Sequence, residues 1–328
     1  CSLGAAAPAD SISTGPMSSE AASGTNGLSA EELERLRQQV HDQNLELVRR
    51  FDGLLGTMPA DYSGRADVLF RKAEALKEIA DKDYLAARAK FADCMKNWYS
   101  CVGDSECYEP VHDYQQAIDQ YRDIARNHPN YNRIDEVFFH LGETMLQNSQ
   151  GAEGVTYLQN LVRNYPQSQF RCDSYKLMGD YFFDKSLLLP ARQNYDEGLK
   201  FETCSEHDYI LYKLAWVDIN DALHADAVQK LQQVVANIDQ KQDKRMDLRG
   251  QALNDMLLPY SELENGWQLA RDYYEQREGE DTMRRKLTML ADRYDSQGKN
   301  EERFQLESYF LERYPNDEKV PQWMEFAL

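Results

Sequence analysis

Between Leu33 and Leu54 apolar residues recur at three-, four- and seven-residue steps, at Leu33, Leu36, Val40, Leu47, Phe51 and Leu54. The positions between them are mostly charged or amide-bearing, so the stripe fits one face of an amphipathic helix. Ser29-Ala30-Glu31-Glu32 stands in front of it as a capping box. There the Ser29 hydroxyl takes an orphan backbone amide and the Glu32 side chain reaches back to the cap. The pattern predicts a helix over residues 29–56. It either caps whatever follows or pairs with a partner helix, and capping is the preferred reading.

Beyond residue 65 one local pattern returns: an apolar residue, a small residue one place on, an aromatic or aliphatic residue three later, another small residue nine later, and a large residue four beyond. One unit reads Leu141, Gly142, Met145, Gly154, Leu158 and Leu161, closing at Pro166. The next reads Met178, Gly179, Phe182, Ala191, Tyr195 and Gly198, and a third Leu214, Ala215, Ala227, Leu231 and Val234. The first small residues therefore stand 37 and then 36 residues apart. Partial copies are Tyr84, Ala87 and Phe91; Tyr114, Ala117, Tyr121, Ile124 and Pro129; Leu258, Ala270 and Tyr274; and Leu290, Ala291, Tyr294, Gly298 and Pro315, with Arg303 where a small residue belongs.

Such a pattern describes two antiparallel helices whose backbones approach at small residues while large ones fill the space between neighbouring pairs. About seven pairs are expected over residues 65–316, with a tail over 317–328. Alternating strand patterns bounded by hairpin turns are absent, so the expected fold is an all-α helix-pair solenoid.

The repeat resembles the tetratricopeptide repeat, whose period is about 34 residues. That resemblance implies a right-handed superhelix whose concave wall is lined by first helices and takes a peptide or partner helix. The residues three before and one after each small anchor would face the groove: Phe139 and Glu143, Lys176 and Asp180, Tyr212 and Trp216. Phe139, Tyr212 and Trp216 would carry most of the binding if exposed, because aromatics dominate interface energy. The alternative is that superhelical winding buries them as core.

Acidic residues number 56 against 37 basic ones, a net charge of −19 that repels a phosphate backbone and an anionic membrane surface. Nucleic acid is not an expected partner. The chain opens Cys1-Ser2-Leu3-Gly4, and residues 1–28 are mainly Ala, Ser, Gly, Thr and Pro. Such a tract cannot bury enough surface to offset its ordering entropy and reads as a disordered tether reaching roughly 25 to 30 Å. This start resembles that of mature bacterial lipoproteins, which implies lipidation at Cys1 and, with Ser2, sorting to the outer membrane, facing the periplasm. The Arg-Asn-Tyr-Pro and Glu-Arg-Tyr-Pro endings at Tyr165-Pro166 and Tyr314-Pro315 are similar to those of tetratricopeptide-repeat outer-membrane lipoproteins. Those of myxobacterial gliding motility come first, and the lipoprotein subunit of the β-barrel assembly machine next.

Five further cysteines stand at 94, 101, 107, 172 and 204. In an oxidising compartment one bridge would close the first cluster, Cys101 to Cys107 being favoured because Gly103, Asp104 and Ser105 supply a turn, and Cys172 could bridge Cys204. The alternative is that all five are reduced packing residues. His112 near the cluster invites a zinc reading, but the spacing lacks a close Cys pair and no metal site is expected. The other histidines are scattered. No phosphate loop, nucleophile elbow, His-Glu-x-x-His helix or calcium loop is present, so neither an enzyme nor a cofactor or small-molecule substrate is expected. The expected function is an adaptor binding other envelope proteins, in gliding machinery first, with barrel or secretin assembly, or regulation of a cell-wall enzyme, as alternatives.

Overall fold

The computed structural model describes residues 29–99, 107–201, 204–241, 246–317 and 320. Residues 1–28, with Cys1, lie outside them, as do Cys101 and all but Val320 of the tail beyond Asp317. Every regular element among the described residues is an α-helix. Two long helices lead, α1 (Ala30–Thr57) and α2 (Arg65–Tyr99), followed by α3 (Gln115–Asn127). Three regular pairs come next: α4 (Ile134–Gln147) with α5 (Gly151–Asn164), α6 (Arg171–Asp184) with α7 (Leu188–Leu199), and α8 (His207–Asn220) with α9 (His224–Lys241). The chain continues through α10 (Met246–Asp255), α11 (Leu257–Glu262), α12 (Gly266–Glu278), α13 (Glu280–Ser296) and α14 (Asn300–Arg313).

Apart from the short α11, which also packs on α9 and α13, each helix packs chiefly on its neighbours in sequence, the contact pattern of a solenoid. Among the described residues six pairs result where about seven were expected: α2 with α3, α4 with α5, α6 with α7, α8 with α9, the bent α10–α11 with α12, and α13 with α14. Tyr84, Ala87 and Phe91, read from the sequence as a pair of their own, belong to the continuous helix α2. The bend between α10 and α11 falls where Pro259 lacks an amide and its ring presses on the preceding turn.

Backbone contact at small residues holds the pairs together. A Cβ on Gly154 would stand 2.7 Å from the Gly142 carbonyl oxygen, and one on Gly142 would stand 2.6 Å from the Leu158 side chain. The equivalent residues Ala191, Ala215 and Ala227 are wholly buried. Arg303, at the same place in the last pair, sits among acids instead, on Asp295 and on Glu307 at 3.0 Å.

The turn inside a pair is also repeated. Ser149, Ser186, Ala222 and Gly298 all have positive φ, between 56° and 67°. In each case the next amide reaches back five residues: Gln150 to Met145, Leu187 to Phe182, Leu223 to Asp218 and Lys299 to Tyr294, at 2.8 to 2.9 Å. This is the Schellman termination, which satisfies carbonyls that the helix end would leave open. Three of the four left-handed positions carry a side chain.

Both halves of the Ser29–Glu32 capping box are formed, at 2.7 and 3.2 Å. α1 lies against α2 through Asn44 to Glu78 at 2.5 Å, Asp52 to Lys72 at 2.7 Å, and the Leu55 carbonyl to Arg65 at 2.9 Å. The stripe foreseen as its packing face is only partly used. Leu55 packs on the core that α2 shares with α3 and α4, and Leu33 and Phe51 are half-buried, whereas Leu36, Val40, Leu47 and Leu54 remain 41 to 51% exposed. The apolar arc is wider than one neighbouring helix can cover.

Two disulfides cross-link the described residues. Cys94 near the end of α2 is joined to Cys107, with Cα atoms 5.9 Å apart, so the expected Cys101–Cys107 bridge is replaced. The reason is the length of α2: it runs past Cys94 to Tyr99 and so sets Cys94 beside position 107. Cys172 is joined to Cys204 with Cα atoms 6.2 Å apart, tying the start of α6 to the segment entering α8. The His112 ring stacks on Tyr84 at 3.6 Å and on Tyr114 at 4.9 Å. Among the described residues no cluster of His, Cys, Asp or Glu is placed to hold a metal, and no helix is long and apolar enough to cross a membrane.

Two substitutions test this frame. Gly154→Ala should cost about 1–3 kcal/mol, since its neighbour is backbone, while Gly250→Ala in α10, with open space around it, should gain about 0.5–1 kcal/mol; urea titration reads both. Ala222→Gly should stabilise by roughly 0.5–1 kcal/mol by relieving a left-handed alanine, seen as a higher thermal midpoint, and the same change at helical Ala227 should destabilise.

Candidate protein-binding site

The first helices α4, α6 and α8 touch one another in series, α4 against α6 and α6 against α8. Elements on the inside of a curve lie closer to their like than those on the outside, so these helices form the inner wall. All six residues expected to face the groove lie on this wall, and each is half-buried.

Each also makes contacts that join units. Phe139 stacks on Phe170, at the entry to α6, with ring centres 4.9 Å apart, and meets His140 edge-on at 5.4 Å. Behind it His140 stacks on Tyr121 and meets Phe70 of α2, extending the aromatic cluster into the preceding unit. Lys176 stands 3.6 Å from Glu206 and over the Tyr209 ring, both at the next unit. Asp180 accepts from the Tyr195 hydroxyl at 2.6 Å and faces Lys213 at 3.9 Å. The Tyr212 hydroxyl donates to Asp255 of α10 at 2.6 Å, and the Trp216 indole also bonds that carboxylate. The wall is therefore a set of aromatic faces whose polar tips are tied to the neighbouring repeat, neither a bare groove nor a closed core.

Its electrostatics follow from partial burial. Burial works against ionisation of Glu143, but the His140 ring 3.6 Å away and the Lys77 ammonium, which donates to it at 2.7 Å, prevail and hold its carboxyl at about 2. Asp180 and Asp255 go the other way: burial pushes both carboxyls up, against the hydroxyl bonds they receive. Asp173 is likewise pushed up by burial and then by the charge of Glu206. Burial and the nearby Arg285 push the Lys286 ammonium down. Asp173, Asp180 and Asp255 are thus costly to keep charged, whereas Glu143 already has its cation in Lys77.

Several members of the wall were not anticipated. Glu136, Asp173 and Tyr209 stand six residues before each small anchor, at the same 37- and 36-residue intervals, so the repeat register could have found them. Phe170, Lys213 and Asp255 reach the wall from neighbouring units or other faces, and no local spacing marks them.

Residues 136–168 match the tetratricopeptide repeat family, a stretch that runs from the first turn of α4 to just beyond α5 and contains both Gly142 and Gly154. No curated protein matches the chain. The chain therefore contains a tetratricopeptide repeat, set within an all-α helix-pair solenoid, and repeats of this kind typically bind other proteins.

Glu143 makes the wall acid-sensitive. Its folded carboxyl titrates at about 2 against an ordinary 4.5, so the unfolded chain binds more protons in that interval. The stabilisation is complete above about pH 4.5 and lost as the pH falls towards 2. The stability gap between wild type and Glu143→Gln should reach at most about 3 kcal/mol at pH 6 and narrow steadily below pH 4.5, as measured by urea unfolding.

Proposed function

We propose that this protein is a scaffold of an envelope multiprotein complex, held at the outer membrane through lipid on Cys1, facing the periplasm and gripping partners along the α4–α6–α8 wall. The observation that carries the scaffold role is that wall: aligned first helices presenting half-buried Phe139, Tyr212 and Trp216 beside acids pushed up by burial. Support for an oxidising compartment comes from the Cys94–Cys107 and Cys172–Cys204 disulfides, since such bonds persist outside the reducing cytoplasm. The lipid attachment and the choice of gliding machinery as the complex rest on the resemblance to periplasmic tetratricopeptide lipoproteins. An acidic chain of net charge −19 fits protein partners with cationic segments better than nucleic acid.

Crosslinking in living cells, followed by purification of the detergent-solubilised protein, tests the proposal. Motility-complex proteins among the captured partners would support the preferred setting, and barrel-assembly or secretin components would replace it. An unlipidated Cys1 with no reproducible partner would overturn the adaptor role. Trp216→Ala should lower capture roughly tenfold or more while leaving the helical circular-dichroism signal in place, whereas Gln159→Ala on the exposed side of α5 should leave capture unchanged. Equal capture by both variants would move the site away from this wall.

A further inference from the structure

Successive units along the inner wall are clasped at one recurring pair of positions, where the residue three before a small anchor meets the residue that precedes the first helix of the next unit. Between the first two regular units these are Phe139 and Phe170, ring on ring with centres 4.9 Å apart. Between the second and third they are Lys176 and Glu206, 37 and 36 residues further on, and the clasp is a half-buried ion pair at 3.6 Å. A partly exposed ion pair contributes roughly 0–1 kcal/mol, less than two stacked rings gain from the area they bury.

The Cys172–Cys204 disulfide stands at this weaker clasp. Cys172 is the second residue of α6, four before Lys176, and Cys204 lies two before Glu206 at the entry to α8. The bridge also holds together groups that repel: Asp173 follows Cys172, and its carboxyl is pushed up by burial and then by the charge of Glu206. Away from this end the junction has other holds. Ile210, Leu214 and Val217 of α8 share a buried cluster with Ala191 and Tyr195 of α7, and Asp180 faces both Tyr209 and Lys213. Opening the disulfide therefore leaves the units stacked at their core while freeing the ends where α6 and α8 begin, which present Asp173, Lys176 and Tyr209.

Cys172 is 5% exposed and Cys204 half-buried, so a reductant reaches the bridge through Cys204. The thiolate of a dithiol attacks Cys204 Sγ, the S–S bond breaks, and its electron pair leaves on Cys172 Sγ, which takes up a proton. The reagent's second thiolate then closes on its own bound sulfur and releases Cys204, which is protonated in turn. Two cysteine thiols result, and the reagent is oxidised to its disulfide.

We propose that Cys172–Cys204 is a redox-controlled clamp on the inner wall. Formed, it holds the beginnings of α6 and α8 together as one binding surface; opened by a dithiol, it lets them part and weakens the hold on a partner. The proposal rests on the reading of the α4–α6–α8 wall as the surface that binds partners. The Cys94–Cys107 bridge, between α2 and the segment before α3, supplies no such control.

Amide hydrogen exchange of the full chain, before and after treatment with dithiothreitol, reads the clamp without a partner. Reduction should speed exchange in the first halves of α6 and α8 roughly tenfold or more, with the helical circular-dichroism signal retained. Cys172→Ala with Cys204→Ala should show the fast exchange under both conditions, and Cys94→Ala with Cys107→Ala should respond to the reagent as the wild type does. On crosslinking in living cells, the chain with Cys172→Ala and Cys204→Ala should capture roughly tenfold less of the partners that the wild type captures. Unchanged exchange in α6 and α8 on reduction would overturn the clamp. So would a bridge that dithiothreitol leaves intact, or loss of the helical signal, which would make the bridge a staple of the whole fold. Faster exchange with equal capture would remove its control over binding. A wild-type chain that captures nothing would count against the scaffold reading instead, while exchange still decides the clamp.

Discussion

The close approach of paired backbones at small residues is the constraint on which the rest of this structure depends. Where Gly142 and Gly154 meet, each peptide group occupies the space a side chain would otherwise need. Helices held this near leave their larger residues only one direction, towards the neighbouring pair. Leu141, Met145 and Leu158, and Tyr195 with Leu214, consequently fill the spaces around these crossings and are fully buried. A small-residue crossing thus fixes the pair, and the pair in turn fixes what it can stack upon.

Stacking then decides what the inner wall can offer. Tyrosine rings there have an apolar body and a polar tip, and the tips are committed: Tyr212 to Asp255, and Tyr209 to Asp180. Ring faces remain for a partner while the hydroxyls hold adjacent units in register. Asp173, Asp180 and Asp255 are partly desolvated, so a further cation beside them relieves a cost the free protein carries. A rigid wall with unspent electrostatic potential suits a scaffold, whose affinity improves when little has to be ordered on binding.

Much of this was legible in the sequence for a physical reason. Helix pairs with a fixed crossing need small residues at fixed intervals, and Gly142, Gly179 and Ala215 displayed that interval before any coordinates. The capping box at Ser29 was equally plain, because its two bonds join residues three apart. Other features left no local trace. Three of the four left-handed turn positions hold Ser149, Ser186 and Ala222, where glycine would have announced the turn. The stripe on α1 showed that an apolar face exists and concealed which part of it α2 covers.

What the sequence by itself determined is the helical class, the repeat interval and the row of positions along the inner wall, because these depend on periodicities of a few residues or on one recurring spacing. Only the tertiary structure decided the disulfide partner of Cys107, the half-buried state of Phe139 and Trp216, the union of Asp255 with Tyr212 across 43 residues, and the outward turn of Leu36, Val40, Leu47 and Leu54. Each of these depends on how far a helix extends and on what its neighbour covers. Those are properties of packing between units, and the pattern within any one unit does not contain them.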